Sequence, residues 1–164
     1  LMKEPGPIAL MLTRQNLPTF DRTNLGTANG VAQGAYVLAD AEKPQVILIG
    51  TGSEVYLCLE AYELLRKEGI PARVVSMPSW ELFERQTQTY RDSVLPPSIA
   101  ARVSVEAGSV LGWERYVGMN GTVIGMTDFG QSAPYAAVQK HFGFTSEHIL
   151  EAALEQIKNH RTRV

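Results

Sequence analysis

The chain has 164 residues, 45% hydrophobic and 20% charged, with a net charge of −2, the profile of an ordinary globular protein. That charge excludes a dominant basic surface, and with it nucleic acid and anionic membrane as expected partners. A single cysteine, Cys58, excludes an intramolecular disulfide and suits a cytoplasmic setting.

The chain opens Leu1-Met2-Lys3-Glu4 and lacks an initiating Met, which reads as a cut inside a longer protein. Residues 8–13 form a short apolar run after the breakers Pro5, Gly6 and Pro7 and predict a strand. The run is too short to span a membrane. Arg14 follows at its carboxyl end, just before a loop. A planar guanidinium there suits a phosphate, although a plain surface arginine fits the same position. Residues 19–33 are polar, rich in Gly, Asn and Thr, and aperiodic, so they read as an interdomain linker. The expected organisation is the end of a preceding domain at 1–18, the linker at 19–33 and one domain at 34–164.

Within that domain 34–40 is the first strand and 46–49 the second. Only a few residues separate them, so the two are expected to form an antiparallel hairpin if they share a sheet. Gly50, Thr51 and Gly52 make a turn, Ser53 is the expected helix cap, and Glu54 sits where the helix dipole favours a negative charge. Val55, Cys58, Leu59, Tyr62 and Leu65 recur at helical spacing, and Glu63 can pair with Lys67. Residues 73–77 then give a parallel strand, completing a βαβ unit. Further on, Ser79 caps a short helix, 90–94 is another, and 102–105 is a strand ending at Glu106. A helix near 113–117, a strand at 122–126, a helix capped by Ser132 and a last helix capped by Thr145 or Ser146 complete the chain. The expected class is three-layer α/β/α, with a five-stranded mixed sheet whose first strand runs against the other four.

The motifs carry little chemistry by themselves. The turn at 50–55 starts like a dinucleotide fingerprint, but Val55 replaces the third glycine and no acidic residue ends the next strand. Asp128, Phe129 and Gly130 copy a kinase triplet without its companions, and Ser132 lacks the final glycine of a nucleophile elbow. His141, His148 and His160 have no spacing suited to a metal or a triad. Glu106 stands at the carboxyl edge of the sheet, where it could act as an acid–base group, cap a turn or meet a partner.

Taken in series, several stretches are more specific. Thr13-Arg14-Gln15-Asn16-Leu17-Pro18, Gly34-Ala35-Tyr36-Val37-Leu38 and Thr51-Gly52-Ser53-Glu54-Val55 come first. Arg73-Val74-Val75-Ser76-Met77-Pro78-Ser79, Gly112-Trp113-Glu114-Arg115-Tyr116-Val117-Gly118 and Phe129-Gly130-Gln131-Ser132-Ala133-Pro134 follow in order. Together they resemble the transketolases, specifically the C-terminal domain preceded by the last strand of the pyrimidine-binding domain. The resemblance implies transfer of a two-carbon ketol unit between sugar phosphates in the pentose phosphate pathway. It implies thiamine diphosphate and a divalent metal (Mg or Ca) in an intact cytoplasmic homodimer, with neither group expected in this fragment. It matches Arg14 to the arginine that binds the substrate phosphate, and assigns no other residue here to catalysis, cofactor or metal. The alternative is a regulatory or oligomerising module holding a small ligand at the carboxyl edge, near Gly52, Glu106 and Phe129.

Overall fold

The computed structural model describes residues 7, 9, 12, 13 and 15–161. Five strands form one sheet: β1 (Tyr36–Asp40), β2 (Val46–Gly50), β3 (Ala72–Ser76), β4 (Arg102–Ser109) and β5 (Thr122–Met126). Their spatial order is β1-β3-β2-β4-β5, with β1 antiparallel and the other pairs parallel. The expected class is therefore the observed one. The strand predicted at 8–13 lies mostly outside the described residues, and the described Ala9, Leu12 and Thr13 belong to no strand.

One expected pairing is corrected. β1 does not form a hairpin with β2, because β3 lies between them. The connection 41–45 steps across one strand position, with Lys43 at φ 54 making the turn and the Gln45 N–H donating to the Pro71 carbonyl at 2.8 Å. A charge pair favours this register. Asp40 stands opposite Arg73, and the two meet bidentately at 3.0 and 2.7 Å. The same guanidinium donates to the Ser93 and Val94 carbonyls, tying the strand pair to the helix beyond.

Helices cover both faces. α1 (Val55–Lys67) and α6 (Ser146–Arg161) pack over one face, where Leu48, Val74, Val103, Cys58, Leu65 and Ile149 form the core. α2 (Trp80–Glu84), α3 (Gln88–Val94) and α4 (Glu114–Val117) cover the other with Phe83, Val94, Trp113 and Tyr116. The chain moves one way from β2 to β3 and the opposite way from β3 to β4 and β5. Right-handed crossovers must then place α1 on one face and α2 to α4 on the other, as observed. β2 is buried at every position, which accounts for its continuous apolar run.

Residues 19–33 hold more structure than their composition suggests. Arg22–Asn24 and Ala28–Gln33 are 3-10 turns capped by Asp21 and Thr27. The Gly26 N–H donates to the Leu38 carbonyl at 2.7 Å, and Phe20 and Leu25 pack on the core. Gly34 ends the stretch at φ +84, and a Cβ there would lie 2.2 Å from the Phe83 nitrogen. Only glycine lets α2 approach so closely.

Three local expectations also change. Glu63 pairs with Arg66 at 2.6 Å rather than with Lys67. Ser53 does not cap α1, because residues 52–54 make a 3-10 turn and its hydroxyl donates to Glu54. Ser132 is exposed, and Pro134 takes the position before α5 (Tyr135–Phe142). Thr145, as expected, accepts from the His148 N–H.

Candidate functional site

Strand order reverses between β2 and β4, so the carboxyl ends of these strands open the crevice where α/β folds hold ligands. β2 enters it through Gly50. A Cβ on Gly50 would lie 2.9 Å from the Val55 Cα, so the glycine lets α1 close onto the strand. The following 3-10 turn carries Glu54 inward, leaving it 6% exposed. Its carboxylate accepts the Ala107 N–H at 3.1 Å and the Ser53 hydroxyl at 2.6 Å. Glu54 thus joins the ends of β2 and β4, and occupies the place where a phosphate would sit at the helix start.

Glu106 is equally occupied. It accepts the indole N–H of Trp113 at 2.8 Å. Trp113 is fully buried and stands edge-on to Trp80, with ring centroids 5.1 Å apart. Tyr116 packs against both rings and donates its hydroxyl to Glu84 at 3.0 Å. Glu84 in turn pairs with Arg91 at 2.6 Å. Burial, and next the hydrogen bond to Glu84, push the Tyr116 phenol up to about 12. The carboxylate is thus engaged by a side chain of the fold itself, which none of the three readings of Glu106 anticipated.

Above these groups lies an open cleft of about 370 Å³, bordered by Thr51, Met77, Ser79, Trp80, Glu81 and Glu106 among others. Its charged lining is two carboxylates, with no cationic side chain. Glu81 is held by its own backbone N–H and the Ser79 hydroxyl, which keep its carboxyl below the usual range. An acidic, shallow cleft with committed polar groups does not suit a diphosphate. Among the described residues, no group of three or more His, Cys, Asp or Glu side chains is placed to hold a metal ion. The lining of this cleft therefore does not fit thiamine diphosphate with its metal, and the same occupancy counts against a regulatory ligand at this edge.

Other candidates separate in space. His148 lies against the Gly143 carbonyl at 2.8 Å and His141 packs edge-on to Phe142. Phe129 is 91% exposed in the loop after β5, its N–H bonded to Asp128. Cys58 lies on the buried face of α1, and burial pushes its thiol well above the usual range, so it is a packing residue. Arg14, the candidate phosphate ligand, lies outside the described residues.

Two polar arrangements were not visible in the sequence. Arg102, at the start of an apolar strand, donates to the carbonyls of Leu95, Pro96, Ile99 and Tyr116 at 2.6 to 3.2 Å. It fastens the loop before β4, and its burial lowers the guanidinium pKa. A lone arginine opening a hydrophobic strand is the signal that could have marked it. The second arrangement, Gln15, Tyr135, Gln139 and Tyr56, joins residues too distant in sequence to signal at all.

Comparison with known proteins agrees with this geometry. The profile of the transketolase-like TK C-terminal domain matches residues 34–145. The transketolase of Aquifex aeolicus is 46% identical over 157 residues, covering 95% of this chain and 23% of its own length. Transketolase 1 of Escherichia coli is 51% identical over 154 residues, 93% of this chain and 23% of its own. The transketolase structure from Leishmania mexicana superposes with a TM-score of 0.77 at 39% identity, over 84% of this chain and 20% of that one. A Pichia stipitis transketolase variant gives 0.82 at 34% identity, over 91% and 21%. The chain thus spans about a quarter of the length of the curated relatives it matches. It belongs to the transketolase family and comprises that family's C-terminal domain.

Proposed function

We propose that the chain is the C-terminal part of a transketolase that moves a two-carbon ketol unit from a ketose phosphate to an aldose phosphate in the pentose phosphate pathway. The observation that carries this reading is the 51% identity to a transketolase over nearly the whole chain. Structures of the Pichia stipitis enzyme, 34% identical to this chain, hold xylulose 5-phosphate and sedoheptulose 7-phosphate. In this reading the intact protein is a cytoplasmic homodimer. Its thiamine diphosphate and divalent metal are held by parts of the enzyme other than these residues, and supply the carbanion chemistry. Among the described residues, no helix is long and apolar enough to cross a membrane. Residues 1–18 close the pyrimidine-binding domain, 19–33 connect, and 34–164 form the C-terminal domain, whose role is structural.

Arg14 is the residue of this chain that meets substrate, through its guanidinium on the sugar phosphate. Its support is the Thr13-Arg14-Gln15-Asn16-Leu17-Pro18 stretch and the fit of a planar fork to phosphate. In the full-length enzyme, Arg14→Ala raises the KM for phosphorylated substrates by the equivalent of roughly 1.5–3 kcal/mol, the worth of a charge-assisted hydrogen bond. An unchanged KM removes the assignment. Titration of the 164-residue chain with thiamine diphosphate and magnesium gives no binding heat, and tight binding would overturn the structural role.

A further inference from the structure

Polar side chains from three separate parts of the molecule meet at the start of α5. The Tyr135 hydroxyl accepts from the Gln15 amide at 3.2 Å, across 120 residues of chain. It also accepts from the amide of Gln139, one turn along α5. The same Gln139 nitrogen donates to the Tyr56 hydroxyl on α1 at 3.1 Å. An amide nitrogen has two N–H donors, and Gln139 uses both within this chain of bonds. The other end of the Gln15 amide, its carbonyl oxygen, is met by the Thr13 hydroxyl. Gln15 is thus engaged at both ends of its side chain.

The surroundings make this contact selective. Of the described residues from 7 to 19, Gln15 is half-buried and every other one is exposed. α5 has no fully buried residue and rests on the core through Phe142 at its far end, so Tyr135 and Gln139 are not serving a hydrophobic interior. Burial, and next the hydrogen bond with Tyr56, push the Tyr135 phenol up to about 12. The hydroxyl therefore keeps its proton throughout the neutral range.

We infer that the Gln15–Tyr135–Gln139–Tyr56 chain is a positioning device: it tethers the segment that carries Arg14 to the C-terminal domain, and so helps set where the guanidinium meets the sugar phosphate. The inference rests on the phosphate reading of Arg14. Consecutive Cα atoms across a trans peptide are about 3.8 Å apart, so fixing Gln15 restricts its neighbour directly. A segment already held loses less conformational freedom when substrate binds. Tyr135, Gln139 and Tyr56 touch no substrate in this scheme and act through Gln15.

The test compares xylulose 5-phosphate with unphosphorylated xylulose as donors in the full-length enzyme. Tyr135→Phe removes one hydroxyl and keeps the ring. It lowers the ratio of kcat/KM for xylulose 5-phosphate over xylulose by about three- to tenfold, mainly through KM, as expected for one lost neutral hydrogen bond. Gln15→Ala lowers the ratio by a similar factor, and the double variant is no worse than the more damaged single one, since both remove the same link. Arg14→Ala is the control and lowers the ratio further. If Arg14→Ala lowers the ratio and Tyr135→Phe does not, the positioning role is wrong while the phosphate reading stands. If Arg14→Ala leaves the ratio at its wild-type value, the phosphate reading fails and the inference falls with it. Hydrogen exchange gives a readout independent of substrate. Amides of Asn16, Leu17, Thr19 and Phe20 exchange faster in Tyr135→Phe than in wild type, and equal rates overturn the tether.

Discussion

Two loops at the same end of the sheet use their side chains differently. At the ends of β2 and β4, each carboxylate has a partner inside the fold: Glu54 with Ala107 and Ser53, and Glu106 with the Trp113 indole. After β5, residues 127–137 are all exposed, Phe129 stands in solvent, and α5 has no fully buried residue. The first loop occupies the topological switch point, the usual place for a ligand. Its polar groups instead join strand to strand and helix to sheet. The second loop lies at the rim, and its helix reaches the segment next to Arg14. Position in a fold offers a site; whether the side chains there remain free decides whether one exists.

Substitutions can break this contrast. Trp113→Ala has the largest expected effect. It empties a fully buried aromatic position and leaves Glu106 without its indole donor, costing about 3–5 kcal/mol in urea denaturation. Glu54→Ala comes next at about 1–3 kcal/mol, because the hydrogen bond that the buried Glu54 carboxylate accepts from the Ala107 N–H is lost. If either change is tolerated within about 0.5 kcal/mol, the switch point is not the committed structure described above.

Tyr116→Phe is smaller at neutral pH, about 1 kcal/mol for one hydrogen bond. Its signature is at high pH. The folded state holds the Tyr116 proton to about 12, against an ordinary 10.0. This contribution is intact below the unfolded value and is lost as pH rises from the unfolded value through the folded one, because only the unfolded chain ionises early. Stability curves between pH 10 and 12 should therefore fall less steeply in Tyr116→Phe than in wild type. The smallest effect is expected at the rim, where Phe129→Ser changes stability by less than about 0.5 kcal/mol. A larger loss would show that the loop after β5 is packed after all.

The sequence makes much of the architecture legible, because the signals are local. The continuous apolar run of β2 marks a strand buried on both faces, and the 3.6-residue recurrence from Val55 to Leu65 marks α1. The antiparallel sense of β1 is also readable. Its neighbour is not, since the pairing with β3 is tertiary and is marked only by such contacts as Asp40 meeting Arg73 across 33 residues. Ser53 and Ser132 both resemble caps, and both fail for the same reason. Capping depends on the backbone turn ahead of the helix, and residues 52–54 turn as a 3-10 segment while Pro134 fixes the entry to α5. The carboxyl-edge carboxylates are easy to find in the sequence, but their engagement by a remote N–H and an indole is tertiary. Arg14 stands out by residue type and by its flanking motif. Its link through Gln15 to α5 needs the fold.

The displacement of β1 has a consequence for assembly. During synthesis β1 is made first, yet its place beside β3 exists only after β2, α1 and β3 have followed. A quick local hairpin with β2 is the wrong product, since it would occupy an edge that β3 or β4 needs. The contiguous β2, α1 and β3 unit has the local contacts that form readily, and β1 with its wrapping turns pairs with a strand that this unit must first supply. The N-terminal stretch of the domain thus has no partner until β3 has been made, although it is exposed to mispairing from the start. The Asp40–Arg73 ion pair joins the two strands in the observed register once β3 is in place.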